Sequence, residues 1–524
     1  MNKYKFISAA VLAFALMSTV SCIKDLDVKP IDPSMQTQDK ALATEQSYKA
    51  FLATTYAGFA TSGYKGPDSD PSISGLDGGA SQYIRGLYHL NGLTTDEALC
   101  GWNDQTIKDF HYMTWTTTDT FIYAFYSRIF HQIGLFNEFI RQARDCGIDS
   151  SEIQTYIAEA RALRAYCYLH AIDNFGSVPF SDENTPIGTN CAQISRADLF
   201  AWMETELKDI INDSAIKAAR TNEYGRVDKA FAQMVLAKLY LNAEVYTGQP
   251  RYQECADVCA ELERAGYSLH PNFAELFMAD NDKCTDEIIF AIQQDGVNIR
   301  SYGVTNYLIF ASTGGSMETT EKGAGISSGW GGIRTTPQFF DLFTDNDSRR
   351  LFETANGQIK ENTDIGDFTN GYAFVKFRNV RSDGTVPNTT VDKDGKEVMP
   401  GFVDTDFPVF RYSDVLLMEA ECAKRGASVP NAQAAWDAVR ARAGISGGSY
   451  TLEDVLDERG REFVQECWRR QDLIRFGKFT GSEYVWSWKG GILEGQGTES
   501  FRNLFPIPTA DLNANANLKQ NPGY

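Results

Sequence analysis

The sequence predicts a mainly α-helical fold, in which tetratricopeptide-like helix pairs form a scaffold and a large loop-rich insert carries short strands. Three features predict it. Several long stretches place apolar residues three and four apart, the mark of one buried helix face. These stretches fall in pairs, with alanines and large aromatics at the crossing positions and glycines at the ends, although no strict 34-residue period is visible. Between the pairs, residues 267–410 lose that period, become rich in glycine, and keep only short β-like runs such as DEIIFAI and GYAFVKFR.

The elements follow in order. Residues 1–21 start with Lys3 and Lys5, continue through the uncharged FISAAVLAFALMSTVS and end on small residues, the pattern of a secretory signal peptide. The apolar run is shorter than the about 20 residues a membrane span needs. Cys22 comes next and reads as the first mature residue, acylated on sulfur and amine; the plainer alternative is a secreted protein in which Cys22 is incidental. Residues 22–40 read as a lipidated tether, 41–60 as a helix with Phe51, Tyr56 and Phe59, and the Gly-, Ser-, Pro- and Asp-rich 61–92 as a long loop. Ser151 caps a helix whose face is Ile153, Ile157, Ala160, Leu163, Cys167 and Ala171, with Gly176 beyond its end. Segments 225–248 and 251–266 give two more helices. A helical hairpin spans 411–426 and 431–444, and one long helix spans 452–479. The chain thus divides into a helical N-terminal region, 41–266, and a C-terminal region, 267–524, with 22–524 expected to form one compact unit.

Composition narrows the function. The net charge is −20, and loss of residues 1–21 would remove only Lys3 and Lys5, leaving the mature chain near −22. Nucleic acid needs a basic footprint, so it is excluded as a partner, and bulk charge disfavours anionic ligands; neutral polymers stay open. The ten cysteines show no CxxC pair and irregular spacing, so no disulfide framework is expected. Cys255 and Cys259, four apart, suit a helix face better than a metal. His89, His111, His131, His170 and His270 form no HExxH or HxH cluster, and no metal or cofactor is expected.

Three stretches and the N-terminus then resemble one family. EARALRAYCYLHAIDNFGSVPF is similar to its helix leading into a G-x-vP turn, ERGREFVQECWRRQDLIRFGKF to its charged C-terminal helix, and LFPIPTADLNANANLKQNPGY to its terminus. Together with the lipoprotein start, the chain resembles SusD/RagB outer-membrane lipoproteins nearly end to end. Lys24, Asp25 and Asp27, just after Cys22, are similar to the surface-export signal of such lipoproteins. The resemblance implies a cell-surface lipoprotein of the outer membrane, anchored by its lipid, that binds glycans and is no enzyme. It also implies a lid-like seat on a SusC-type TonB-dependent transporter, to which captured oligosaccharide passes.

A sugar offers apolar C–H faces and a rim of hydroxyls, which suit flat rings and Asn, Asp, Gln or Arg. Two loops have both. TTDEALCGWNDQT sets Trp102 beside Asn103, Asp104 and Gln105; GAGISSGWGGIRTT sets Trp330 among glycines, with Arg334 nearby. The resemblance places ligand loops of the family at both. The alternative is that either Trp packs under a loop or lines the transporter contact. A second set is Asp77, Tyr83 and Arg85 in SGLDGGASQYIRG, and Tyr302 and Tyr307 flanking SYGVTNY. Tyr166, Tyr168, Trp436 and Trp468 fall within helices and read as scaffold, as do the interleaved charges from Glu458 to Arg475; Trp486 and Trp488 have no assignment. Two other readings remain. A peptide or glycoprotein cargo would share the transporter. A glycoside hydrolase would need two carboxylates flanking the bond, and the adjacent Asp96 and Glu97 diverge on any regular backbone.

Overall fold

The computed structural model describes residues 41–314, 317 and 323–524; the leader 1–21, the tether 22–40 and Cys22 lie outside the described residues. Helix α1 (Glu45–Ala57) opens on a capping box in which Thr44 and Ser47 exchange side-chain bonds for backbone N–H groups. After α2 (Tyr83–Asn91), strand β1 (Ala98–Cys100) and α3 (Gln105–Tyr112) come two long helices packed on each other, α4 (Thr120–Arg144) and α5 (Ser151–Asn174). Their first free N–H groups are taken by the Asp119 and Ser150 side chains; the second cap is one residue earlier than expected. Helix α6 (Arg196–Asn212) packs on α5 and on α7 (Lys229–Leu241), and α8 (Tyr252–Glu263) packs on α7.

The insert contributes β2 (Ile288–Ile292), α9 (Val304–Ser312), β3 (Ile333–Thr335) and β4 (Phe407–Arg411). Strand β4 pairs antiparallel with β2, and β3 pairs antiparallel with β1, setting Ala98 opposite Thr335 and Cys100 opposite Ile333. Only Ala373–Phe374 of GYAFVKFR is a strand, paired with Phe352–Glu353. Helix α10 (Tyr412–Lys424) docks on α8 and pairs with α11 (Ala432–Arg442). The helical array is therefore continuous in space although more than a hundred residues interrupt it in sequence. Helices α12 (Leu452–Phe463) and α13 (Arg469–Arg475) close it. One apolar cluster runs from Tyr48 to Leu518 and includes Tyr166, Tyr168, Trp436 and Trp468. The nine described cysteines are free thiols, and Cys255, Cys259 and Cys422 are buried. Among the described residues no helix is long and apolar enough to cross a membrane.

Two expectations are corrected. The stretch 61–92 is not all loop: its end is α2, and every residue of that helix is buried. Gly86 sits inside it because a Cβ there would stand 3.0 Å from the Phe125 side chain, so glycine admits a close helix contact despite its poor helix propensity. The long helix expected over 452–479 is two helices, broken where Gln465 and Cys467 adopt left-handed backbone angles of φ 63° and 68°. The break has a cause distant in sequence. Buried Lys376 donates to the Val464 carbonyl at 2.6 Å and to Glu466 Oε1 at 2.6 Å, while the Gln465 N–H donates to Glu97 Oε1 at 2.9 Å. The backbone groups at the break thus find partners outside the helix, as buried groups must.

The charges from Glu458 to Arg475 are paired and, apart from the half-buried Arg461, buried, as scaffold. Glu462 meets Arg411 at 2.8 Å, Arg349 at 3.0 Å and Arg442 at 2.5 Å. Arg475 grips Glu421 through two bonds of 2.6 and 2.7 Å, and Arg459 spans Asp414 and Asp472. Asp96 is held by Arg469 at 2.8 and 2.7 Å and by the Tyr484 hydroxyl at 2.6 Å.

Glu97, next to Asp96, differs from it, since no arginine bonds to its carboxyl. Burial pushes its carboxyl up to about 8, with the Gln465 N–H and Lys376 acting in the opposite direction. The folded state therefore holds a proton that the unfolded state releases near 4.5, so Glu97 makes stability fall as pH rises from about 4.5 towards 8. Glu97→Gln, which keeps the acceptor for Gln465, is expected to flatten that part of the stability profile. Urea titrations at pH 5 and pH 8 would check it; an unchanged slope would show that Glu97 is not its source.

Candidate functional site

The short β1–β3 ladder does the assembling. Trp102 follows β1 and Trp330 precedes β3, so antiparallel pairing brings the two tryptophan loops side by side. Gly101 N–H donates to the Gly332 carbonyl at 2.9 Å, and the Trp102 indole N–H donates to the Gly331 carbonyl at 2.8 Å. Gly331 and Gly332 have φ of 68° and 118°, and a Cβ on Gly332 would collide with the Trp102 indole. The glycines around Trp330 are thus the seat of Trp102. Gly332→Ala is expected to displace the Trp102 ring and weaken ligand binding with helix content unchanged, read by affinity electrophoresis and circular dichroism; wild-type retention would show that the seat is not needed.

The rings form an arc. Trp330 stands 6.5 Å from Trp102 and 6.2 Å from Tyr302, centroid to centroid, and all three are half-buried. Phe310, 5.1 Å from Trp330, backs it from α9. The Tyr302 hydroxyl donates to Asp68 at 2.8 Å. Beneath the arc, the Arg85 guanidinium lies 5.7 Å from the Trp102 centroid and 4.4 Å from that of Tyr307, within reach of cation–π attraction. It donates to the carbonyls of Gly79 at 2.8 Å and Tyr302 at 3.2 Å, while its Nε has no partner. Burial lowers the Arg85 pKa, and the carboxylates of Asp77 and Asp104 act against that. Asp77, Asn103 and Asp104 are exposed at the rim, where Asn103 Oδ1 accepts from Lys108 at 2.5 Å.

The structure therefore brings together Trp102, Trp330, Tyr302 and Arg85, with Asp77, Asn103 and Asp104 on their rim. It removes three expected contacts. Tyr83 is fully buried, 2.8 Å from His170 Nδ1, in the core under α2. Tyr307 is not in a loop but in α9, fully buried, with its hydroxyl 3.2 Å from His89 Nε2. Arg334 is buried and spends its guanidinium on the backbone carbonyls of Phe368 and Ile333, at 2.5 and 2.6 Å. None of the three presents surface to a ligand; Tyr307 packs against Trp102 and Arg85, and Arg334 braces the backbone at β3. Asp96 and Glu97 are buried and engaged, which leaves them no role as an acid–base pair. Among the described residues no group of three or more His, Cys, Asp or Glu is placed to hold a metal ion.

A helical scaffold carrying an aromatic arc on its loops has the build of a binding surface. Comparison with known proteins gives the family. Residues 366–524 match the SusD family. The starch-binding protein SusD of Bacteroides thetaiotaomicron is 32% identical, across 99% of this chain and 98% of that protein. The chain belongs to the SusD family. Solved structures agree on the fold: surface glycan-binding protein A from Bacteroides thetaiotaomicron has a TM-score of 0.71 at 20% identity, covering 92% of this chain and 100% of that one. The same protein in complex with laminarihexaose gives 0.66 at 19% identity, covering 91% and 99%. A SusD superfamily protein from Parabacteroides distasonis gives 0.71 at 21%, covering 92% and 99%.

Proposed function

We propose that the protein is a cell-surface lipoprotein that captures oligo- or polysaccharide and delivers it to a SusC-like TonB-dependent transporter. The observation that carries this reading is the arc of Trp102, Trp330 and Tyr302, three half-buried rings of which the two tryptophans are set side by side by a paired backbone ladder. Half-buried rings with fixed spacing can stack on successive sugar faces, and Asp77, Asn103 and Asp104 can meet the hydroxyls. A strongly negative chain with such rings suits a neutral polymer. Among its relatives, one bears a starch-binding name and one was solved with laminarihexaose, so glucose polymers are the first to test.

The test is retardation of the mature, untethered chain in native gels containing starch, laminarin and other plant, host and fungal polysaccharides, with released sugar assayed alongside. Retardation without release is the expected result. No retardation on any glycan would sink the reading and favour peptide cargo. The anchor is tested separately: Cys22→Ala is expected to move the protein out of the membrane fraction, and retention there would refute lipidation at Cys22.

A further inference from the structure

Trp102 has a second neighbourhood. It also lines a cleft of about 610 Å³ that neither Trp330 nor Tyr302 lines, a volume inside the roughly 300–1,000 Å³ typical of ligand pockets. Three more rings line it beside polar and small residues: Tyr112 from α3, Phe368 from the insert and Trp488 from the segment after α13. Each is braced. The Trp488 indole N–H donates to the Asn362 carbonyl at 2.7 Å, and the ring stands 6.0 Å from that of Tyr112. Phe368 lies against Gly101 and Gly331, where an added Cβ would approach its ring to 2.8 Å. Trp488 has φ of 70°, a left-handed conformation uncommon for a bulky residue and one that persists only where its surroundings impose it.

With its one polar atom satisfied, the Trp488 indole has only ring surface left to offer. The cleft's lining carries one cation and one carboxylate, Lys108 and Asp364, which cancel in sum; each is bonded, Lys108 to Asn103 and Asp364 to the Gly366 N–H at 2.9 Å. A concave site with several rings and no net charge selects a neutral, stackable ligand.

We infer that this cleft is a second sugar subsite, which takes further pyranose units of a neutral glycan chain seated on the arc, with Trp102 shared between the two. The inference rests on the glycan reading proposed above. It makes affinity depend on chain length, because only a longer oligosaccharide reaches both subsites.

Isothermal titration of the mature chain with two pairs, maltotriose with maltoheptaose and laminaritriose with laminarihexaose, tests it. The expected result is that the wild type binds the longer member of a pair about tenfold more tightly, and that Trp488→Ala brings this ratio close to one. Tyr112→Ala should do the same, and covers the case in which loss of Trp488 disturbs folding. A length ratio that survives both substitutions, while Trp330→Ala weakens binding of both members of a pair, overturns the second subsite and leaves the glycan reading standing. Equal losses for short and long ligands also overturn it, since they would make Trp488 a support of the arc. Failure of the wild type to bind either pair or any polysaccharide overturns both.

Discussion

Trp330→Ala is expected to weaken glycan retention roughly thirty-fold, about 2 kcal/mol from lost stacking and lost apolar burial, while the helical circular dichroism stays as in the wild type. The expectation follows from position. Trp330 is the middle ring of the arc, with Trp102 on one flank and Tyr302 on the other, so its removal parts the two outer rings. Its side chain is half-buried against Phe310 but lies outside the helical array, so the scaffold should not register the loss. Affinity electrophoresis on the best-retained polymer gives the answer. Retention equal to wild type would remove Trp330 from the site and shift attention to the Trp102–Trp488 cleft alone.

The largest expected effect on stability is that of Glu462→Ala. This carboxylate is fully buried and touches three guanidinium groups, those of Arg349, Arg411 and Arg442. Removing it takes one shared counter-charge from three buried guanidinium groups in a low-dielectric interior, which costs on the order of 3 kcal/mol, although Arg442 keeps Glu287 at 2.9 Å. Arg349 and Arg411 keep other acids, Asp347 with Glu458 and Glu287 with Glu466, so the fold should be weakened and not abolished. A urea midpoint close to wild type would show that the remaining acids suffice. Glu462 is also held well below the usual carboxylate range by those arginines, burial acting against them. Its contribution is therefore present above about pH 4.5 and persists well into acid before it is lost.

What the sequence disclosed tracks how local each cause is. The helices were legible because their apolar period and their stops lie within one segment, as with Ile153 to Ala171. Trp102 and Trp330 stood out because a bulky ring amid glycine and polar residues has no local packing reason, and Gly331 and Gly332 now have one in Trp102. The misjudged features have partners far away in sequence. The break after Phe463 depends on Lys376 and Glu97, which no pattern in 452–479 contains. Tyr307 looked exposed because SYGVTNY reads as a loop, yet it begins α9, and His89 and Arg85 enclose it. Trp488 and Tyr112 went without a role because each is an unremarkable aromatic until the fold sets them 6.0 Å apart. The only available signal was the odd density of aromatics in EYVWSWKG.

The buried partners of Asp96 and Glu97 have a bearing on the ligand side of the molecule. These two residues directly precede β1, and β1 leads straight to Trp102; Arg469 holds the first, and the second holds the Gln465 N–H. Trp102 is thereby riveted, within a few residues, to the charged interior of the scaffold. If Trp102 meets the glycan as proposed, a receptor fastened in this way is set before its cargo arrives, and little ordering entropy remains to be lost on contact. On the proposed function, shallow stacking on a few rings would then suffice for capture, and release to a transporter would require no part of the scaffold to unfasten.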